Sequence, residues 1–333
     1  MDLEILDKIK IQNHLDKTHL IAYSDSFARF AKSAYGSQRS FIGVKERNEL
    51  KAIFPIFERE YRRQKVAEVP LFIYTEIFLV DENFTIDADV LGKELLKFSK
   101  ADVVRFNLYH FSHQQVKTND ANHVFTAMAA DLSRVNSYDA YLNKVLSKNA
   151  RSKIYKAYQG GFDLAWLTPR DLPLFHRLYS DHVKQLGSKP HPQEHFKKMF
   201  AAHQPGKDLS MMGAQKDGRL ITANLFVVNG DYMEVRFLAD DLDYRRLFPN
   251  NFLYAEMIKW AYANNLRVID FGGIPKAMRT NIEFKKSLGA KEFPIYTKYF
   301  FRNHWQMLLF KIGKKMLYWK KYRRLMIKKY LKI

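Results

Sequence analysis

Two glycines and a lysine near the C-terminal end of the chain could do chemistry together. Gly272 and Gly273 follow the apolar stretch 268–271, and glycines allow backbone amides to approach a ligand at a turn. Lys285 follows them in the run FKKSLG. A cation and backbone amides beside one cleft can stabilise negative charge that develops in a reaction. A lysine pair is also typical of a solvated surface, so the residues alone leave both interpretations open.

Helical and strand patterns flank these residues and would position them. Pro249, Asn250 and Asn251 are typical of a helix start, and apolar side chains recur at helical spacing behind them as far as Ala263. A buried strand is predicted at residues 268–271. The order of helix, strand, glycine turn and lysine-bearing segment predicts a cleft at this end of the chain.

Composition limits the class of protein. The 333 residues and the 47% apolar content predict a globular protein of two domains, since one hydrophobic core rarely serves so long a chain. The absence of cysteine excludes disulfides, thiolate nucleophiles and cysteine zinc sites. No apolar run is long enough to span a bilayer, and the first residues lack the pattern of a secretion signal. We therefore expect a cytoplasmic protein.

The end of the chain is strongly basic. Residues 302–333 contain 11 lysines and arginines and no acidic residue, in a chain of net charge +20. Trp305, Leu309, Ile312 and Met316 begin an apolar stripe at helical spacing, and such a stripe flanked by basic residues is typical of helices that bind anionic membranes. A terminal helix packed on the body would show the same pattern, and nucleic acid is a third candidate partner. We expect a peripheral position on the inner face of the membrane.

Hairpin and helix patterns occur in both halves of the chain. In the first half, two strands flank the turn KERNE, and a helix at 88–99 leads into a strand at 102–108. In the second half, two strands flank the turn KDG, and a helix and a buried strand again follow. The pattern predicts an α/β protein in which one structural unit is used twice. The predicted parts are a domain at 1–136, a domain at 137–301 and the basic amphipathic tail at 302–333.

Six motifs follow one another in the second half of the chain: SKNARSKIYKAYQGG, LGSKPHP, KDGRLITANLFV, RRLFPNNFLYAEMIKWA, VIDFGG and FKKSLGA. In this order they resemble the Fem-type (FemAB-like) branch of the GNAT-related acyltransferases. The resemblance covers residues 137–298 well and the first half in outline. It implies two tandem GNAT-like domains, each a mixed twisted sheet flanked by helices, with the first domain degenerate. The family includes aminoacyltransferases that build peptidoglycan cross-bridges and proteins encoded with exopolysaccharide systems.

The resemblance implies a catalytic role for Lys285, which falls where the FK-x-x-x-G element of the family places a lysine. Its ammonium would stabilise the oxyanion that forms when an amine attacks a thioester or ester carbonyl. Asp270 would orient the acceptor amine or accept its proton, although an aspartate that caps the glycine turn fits the sequence equally well. Lys286 is predicted to be the solvated member of the lysine pair.

Further residues are predicted to bind the substrates. Lys148, Asn149 and Arg151 resemble the basic segment that holds phosphate-bearing acceptors in the family, and a guanidinium can bind a diphosphate through paired hydrogen bonds. An ordinary charged helix face is the alternative. Arg245 and Arg246 would neutralise phosphate in the turn YRRLFPNN, where proline and asparagine replace the usual glycines. The other candidate substrate-binding residues are Asn250, Asn251, Tyr254, Gly272 and Gly273.

Two acyl donors fit the resemblance. Acyl-CoA, with acetyl-CoA first, is the predicted co-substrate, although the altered turn changes the usual coenzyme A cradle. Aminoacyl-tRNA is less favoured, because no charged heptads predict the coiled-coil arm that the bridge-forming members carry. The predicted acceptor is an amine on a small molecule or on a lipid-linked precursor.

A histidine motif indicates no metal site. His191, Glu194 and His195 match the H-x-x-E-H spacing of some zinc peptidases. Two prolines in the same stretch predict that the helix begins around residue 192, so His191 falls outside it and cannot share its face. His182 is predicted on the surface of the preceding helix. We therefore predict no metal.

Taken together, the sequence predicts an N-acyltransferase that acylates an amine of a sugar or peptide precursor for the cell envelope. The alternative is a non-catalytic protein that keeps a GNAT-like fold and binds an anionic glycan or lipid. Binding to nucleic acid ranks third, because the aromatic residues of the tail are better suited to a lipid boundary.

Overall fold

A computed structural model describes residues 1–312 except 16, 19, 62, 71–73, 75, 76, 109–115, 118–121, 309 and 311. The apolar stripe predicted for the tail lies outside the described residues at Leu309 and from Met316 onward. Trp305 and Ile312, at its beginning, are 73% and 46% exposed. Of the helices that the structure describes, none has the length and hydropathy that a membrane crossing needs.

The first half of the chain contains nine strands and three helices among its described residues. In chain order these are β1 (Asp2–Leu6), α1 (Gln12–Leu15), α2 (Asp25–Tyr35), β2 (Gln38–Glu46), β3 (Glu49–Tyr61), β4 (Gln64–Val69), β5 (Phe78–Leu79), β6 (Ile86–Asp87), α3 (Ala88–Ser99), β7 (Val103–Leu108), β8 (Val116–Lys117) and β9 (Asn122–Asp131).

The second half begins with helices and ends with a strand. Its elements are α4 (Tyr138–Lys144), α5 (Lys148–Gln159), β10 (Asp163–Leu167), α6 (Leu172–Gln185), α7 (Gln193–Ala202), β11 (Leu209–Lys216), β12 (Arg219–Asn229), β13 (Tyr232–Asp240), α8 (Pro249–Ala263), β14 (Val268–Pro275), α9 (Arg279–Ser287) and β15 (Lys291–Phe301). The segment Leu242–Leu247 between β13 and α8 is a 3-10 helix.

One large mixed sheet passes through both halves. In the described residues its strands are arranged in the order β1-β2-β3-β4-β7-β15-β9-β14-β13-β12-β11-β10, and β5 pairs with β3. β15, from the second half, lies between β7 and β9 of the first half. β9 in turn pairs with β14. Each half therefore contributes a strand to the other, and the boundary at 136/137 stays a prediction.

The same arrangement of strands occurs in each half. In the first half, β2, β3 and β4 are antiparallel neighbours, and β4 then pairs in parallel with β7 after the crossover through α3. In the second half, β11, β12 and β13 are antiparallel neighbours, and β13 pairs in parallel with β14 after α8. Helices cover the sheet in both halves, so the predicted α/β fold with a repeated unit is confirmed.

Local sequence explains the elements next to the repeated crossover of the second half. α8 begins at Pro249, whose fixed backbone torsion suits the first helical position. Its side chains are buried on most sides, including Leu253, Met257 and Ile258, because it packs between the sheet and α5. The β11–β12 hairpin turns at Asp217 and Gly218, which both have positive φ angles, as the KDG turn predicts.

The basic helical segment predicted between residues 137 and 161 differs from the structure. It forms two helices, α4 and α5, and the second begins after Ser147, whose side chain accepts a hydrogen bond from the Ala150 amide. A serine in this position caps a helix N-terminus, which is why a new helix starts there.

Candidate active site

A cleft of about 1600 Å³ opens where β13 and β14 separate. These two strands pair with each other only at residues 232–234 and 268–270, after which β13 continues to Asp240 paired with β12 alone. The cleft is lined by residues from both halves of the chain. The lining residues from the first half are Tyr35, Tyr74, Arg105, Asn107 and Phe125.

The two glycines after Asp270 lie in a strand and do not end it. β14 continues to Pro275, and its register against β9 shifts between Asp270 and Gly273, as in a β-bulge. Gly272 has a φ of +86°, and a Cβ there would lie 3.0 Å from the carbonyl oxygen of Val235. The predicted glycine turn is therefore wrong, but both glycines line the cleft.

Asp270 is fully buried beneath the cleft and does not line it. Its carboxylate accepts hydrogen bonds from the hydroxyls of Tyr74 and Tyr232 and from the amide of Gly272, the first and last at 2.8 Å. Burial, and then the nearby charge of Glu234, raise the pKa of Asp270 to about 7, while these hydrogen bonds oppose the shift. The structure thus favours a role for Asp270 in holding the bulge at Gly272 over direct contact with an acceptor amine.

Lys285 lines the cleft from the last turn of α9. Its side chain is 6% exposed, and Nζ lies 3.4 Å from the centre of the Tyr254 ring. The rings of Phe271 and Phe284 lie 5.0 and 5.3 Å from Nζ. Among the described residues, Nζ has no hydrogen-bond partner. Burial without a counter-charge lowers the pKa of Lys285 well below its usual value.

The neighbouring Lys286 lies on the outer side of α9. Its Nζ forms ion pairs with Glu283 at 3.2 Å and with Glu292, and its side chain is 41% exposed. Because successive residues of a helix point in different directions, only one of the two lysines can face the cleft. This agrees with the predicted assignment of Lys285 to the site and Lys286 to the surface.

The start of α8 forms one end of the cleft. Phe248, the residue before the helix, has a φ of +59°, and no side chain caps the helix there. Asn250 links two strands, since it accepts a hydrogen bond from Thr222 and donates one to Asp240, both at 2.9 Å. The predicted residues that line this end are Arg245, Asn250, Asn251 and Tyr254, whereas Arg246 does not line it.

The predicted phosphate-binding residues of α5 are separated by the structure. Asn149 lines the cleft, together with Lys153, whereas Lys148 is exposed outside it. Arg151 points the other way, and its Nη1 donates hydrogen bonds to backbone carbonyls at the end of α4, those of Leu142 and Asn143 among them. Arg151 therefore holds α4 to α5, because its guanidinium donates hydrogen bonds to carbonyls that have no partner within the helix at its C-terminal end.

Sequence reasoning missed several groups that line the cleft. His182 is buried at the end of α6, and not on a helix surface as predicted. His191 does precede α7, as predicted, yet its ring stacks on that of His195 with 4.2 Å between centres. Burial lowers the pKa of His195 to about 3. The H-x-x-E-H spacing was the single sequence signal for this pair.

An ion pair on β13 also lines the cleft. Arg236 donates a hydrogen bond to Glu234, and both side chains are largely buried. Within the part of the chain that the structure describes, no group of three or more His, Cys, Asp or Glu residues has the arrangement of a metal site. The polar groups that line the cleft are amines, guanidiniums, amides, imidazoles, hydroxyls and carboxylates.

Comparison with known proteins identifies the domain that contains the cleft. Residues 145–286 match the family model described as an acetyltransferase (GNAT) domain. This region is similar to GNAT acetyltransferase domains. No curated protein matches the chain. The matched residues run from just before α5 into α9 and include the separation of β13 and β14, the start of α8 and Lys285.

Solved structures share the fold over nearly the whole chain. The crystal structure of FemX aligns with 94% of this chain and 99% of its own, with a TM-score of 0.68 and 14% identity. The structure of L-PGS from Bacillus licheniformis aligns with 94% of this chain and 97% of its own, with a TM-score of 0.51 and 12% identity. The structure of a tandem GNAT protein from the clavulanic acid biosynthesis pathway aligns with 90% of this chain and 98% of its own, with a TM-score of 0.50 and 11% identity. The fold that the resemblance to Fem-type GNAT proteins implies is confirmed.

Proposed function

We propose that this protein is an N-acyltransferase that transfers an acyl or aminoacyl group to an amine of a cell-envelope precursor. The observation that carries the proposal is the buried amine of Lys285, which lines the cleft of the GNAT domain without a hydrogen-bond partner among the described residues. An unpaired buried amine costs free energy. A protein that keeps such a group in a cleft is expected to use it.

The low pKa of Lys285 gives the amine two successive roles. Burial favours the neutral form, so Lys285 can accept a proton from the ammonium of the acceptor and leave that amine free to attack the donor carbonyl. The proton then rests on Lys285 as an ammonium. The positive charge on Lys285 then stabilises the oxyanion that forms on the attacked carbonyl. This stabilisation is strong because the largely buried ammonium is little screened by water. The bond between the carbonyl carbon and the thiolate or alkoxide then breaks, the attacking nitrogen gives its remaining extra proton to that leaving group, and the amide is left.

The aromatic surroundings support this cycle. Tyr254, Phe271 and Phe284 place no counter-charge near Nζ, so these surroundings favour the neutral amine before the substrates bind. The faces of aromatic rings also attract cations. The same residues therefore tolerate the ammonium once it has formed, and a rotation of the long lysine side chain brings Nζ from the Tyr254 ring into the cleft.

The proposed acyl donor is acyl-CoA, with aminoacyl-tRNA as the second candidate. Arg246 is exposed just before α8 and outside the cleft, where a phosphate of the donor could bind it. However, Pro249 has no amide hydrogen, which removes one donor from the helix start. The altered turn favours the alternative of a non-catalytic protein that binds an anionic glycan or lipid, so a donor assay decides between the two.

The proposed acceptor is bound at the cytoplasmic surface of the membrane, as a lipid-linked or soluble precursor. The chain has a net charge of +20, and Tyr155 on α5 and Trp166 on β10 are 65% and 47% exposed. Aromatic side chains together with lysines suit the boundary between lipid and water. α5 also contributes Asn149 and Lys153 to the cleft, so a membrane beside α5 would bring a lipid-linked amine close to the site.

The donor assay uses the full chain. The purified protein is incubated with acetyl-CoA, longer acyl-CoAs or aminoacyl-tRNA, and the melting temperature is measured with each, because a ligand that binds only the folded state raises it. Amine-bearing nucleotide sugars, peptides and lipid-linked precursors are then added, and mass spectrometry detects the acylated amine. We expect one donor class to raise the melting temperature and to support transfer. If no donor binds and anionic glycans or vesicles do, the protein is the non-catalytic binder.

A further inference from the structure

An acidic and a basic side chain lie at the end of the cleft formed by the start of α8, with no ion pair between them. Asp240, at the end of β13, is 8% exposed. Its Oδ2 accepts a hydrogen bond from Asn250, and its Oδ1 has no partner among the described residues. Arg245 lines the same end and is exposed. No ion pair joins Asp240 and Arg245 in the described part of the chain, although the charge of Arg245 lowers the pKa of Asp240.

Two more polar atoms at this end are buried without partners in the described residues. They are Nδ2 of Asn251 and Nδ1 of His182, on side chains that are 5% and 8% exposed. Both residues line the cleft. Buried polar atoms in folded proteins are nearly always hydrogen-bonded. Several orphaned atoms around one end of a cleft therefore indicate a ligand that supplies both donors and acceptors.

The charges at this end favour a ligand with both signs of charge. Burial raises the pKa of Asp240 to about 6, Asp241 adds to the shift, and Asn250 and Arg245 oppose it. Asp240 is therefore mostly ionised at neutral pH. Burial and the charge of Arg245 lower the pKa of His182, so His182 is neutral there. A lone diphosphate would be repelled by Asp240, and a lone cation would be repelled by Arg245.

We propose that this end of the cleft binds a substrate group in which an ammonium lies next to an anion, with Asp240 bound to the ammonium and Arg245 to the anion. Asn251 and His182 would complete the hydrogen bonds. An α-amino acid unit has this chemistry with a carboxylate as its anion, and a phosphoethanolamine unit has it with a phosphate. Only one hydrogen bond, from Asn250, holds the Asp240 carboxylate among the described residues. The carboxylate can therefore rotate and present its buried Oδ1 to the ligand. This inference rests on the proposed acyl transfer, because it identifies which part of an amine-bearing substrate the site recognises.

Binding of four small probes to the full chain tests this subsite. L-alanine and O-phosphoethanolamine carry an ammonium and an anion, L-alaninamide carries the ammonium alone, and N-acetyl-L-alanine carries the carboxylate alone. Saturation-transfer NMR measures their dissociation constants in the millimolar range. We expect L-alanine or O-phosphoethanolamine to bind most tightly, and the tighter of the two identifies the anion. Equal binding of N-acetyl-L-alanine, or no binding of any probe, would overturn the proposal.

Substitutions separate the two charges. Asp240→Asn should weaken the best probe roughly 10- to 100-fold, as loss of one hydrogen bond to a charged group does, and should leave N-acetyl-L-alanine unchanged. Arg245→Gln should weaken the same probe and leave L-alaninamide unchanged. Asp243→Asn and Arg170→Gln are the matched controls, because both residues are exposed and do not line the cleft. Controls that weaken binding as much as Asp240→Asn and Arg245→Gln would refute the assignment.

The outcome is independent of turnover. Lys285→Met should bind the probes as the unaltered protein does, because Lys285 is outside the proposed subsite. Probes that respond to Asp240→Asn in a protein that transfers no acyl group would support the subsite and refute the transferase. If the protein transfers acyl groups but Asp240→Asn leaves probe binding unchanged, the result would refute the subsite alone.

Discussion

The two halves of the molecule contain the same crossover between parallel strands, but only in the second half do the two strands separate and form a cleft. In the first half, β4 ends at Val69, at the end of its parallel pairing with β7. In the second half, β13 pairs with β14 only as far as Glu234 and continues to Asp240. The cleft opens beside the length of β13 that pairs with β12 but no longer with β14. A site can therefore arise from a repeated unit when one copy keeps its two central strands apart.

The helices of the two crossovers differ in the same way. The N-terminus of α3 is capped by Asp87, whose carboxylate accepts hydrogen bonds from the amides of Asp89 and Val90. Phe300 of β15 packs against α3 so closely that a Cβ on Gly92 would overlap its ring. α8 has no side-chain cap, and its first turn lines the cleft. The first half has thus filled the region that the second half leaves for a ligand.

The largest expected effect is on stability, in the filled half. Phe300→Ala removes a ring that is 8% exposed and packs against Phe106 at 5.3 Å, and it should lower the free energy of unfolding by about 3–5 kcal/mol. Phe125→Ala is the matched change in the open cleft, where the ring is 42% exposed, and should cost less than about 1 kcal/mol. Urea denaturation measures both. Equal losses would mean that the two regions do not differ in packing.

The second prediction concerns activity in the open half. Lys285→Ala and Lys285→Met should each lower turnover about 100-fold or more, as removal of one group that stabilises an oxyanion does. Lys285→Met should also keep or raise stability, because it replaces an unpaired buried amine by an apolar side chain of similar length. Lys286→Ala is the control and should keep full turnover. Normal turnover in Lys285→Met would exclude the amine from the mechanism.

The third prediction concerns the pH dependence of stability. The pKa of His195 is lowered to about 3 in the folded protein, so the unfolded chain binds one more proton than the folded chain between about pH 3 and pH 6.5. The stability from the neutral ring is present above pH 6.5 and is lost as the pH falls toward 3. His195→Phe should reduce the slope of unfolding free energy in this window by up to about 1.4 kcal/mol per pH unit. An unchanged slope would mean that His195 titrates normally.

The smallest effect distinguishes the two faces of α5. Arg151→Ala should lower stability by about 1 kcal/mol, because it removes hydrogen bonds to carbonyls at the end of α4. It should leave the KM for the acceptor unchanged. Lys153→Ala, on the face that lines the cleft, should raise KM and leave stability unchanged. The reverse result, a KM effect confined to Arg151→Ala, would restore the phosphate-binding role predicted for it.

Local patterns predicted the elements well. The helix expected at 88–99 is α3, and the hairpin expected around KDG turns at Asp217 and Gly218. Such features depend on residues close in sequence, through helical periodicity and through residues that accept positive φ angles. The direction of Arg151 and the burial of His182 were not predictable in this way, because both depend on what packs against the helix from elsewhere in the chain.

The sequence by itself determined the repeated order of strands and helices, the basic excess, and the position of Lys285 after the glycines. Only the tertiary structure decided that Asp270 lies beneath the cleft with three donors, that Asp240 lies in it, and that the Lys285 amine is surrounded by aromatic rings. The physical reason is that burial and electrostatic surroundings are sums over distant segments. A stretch of sequence encodes its own periodicity, but the solvent and charges around a side chain are set by the whole fold.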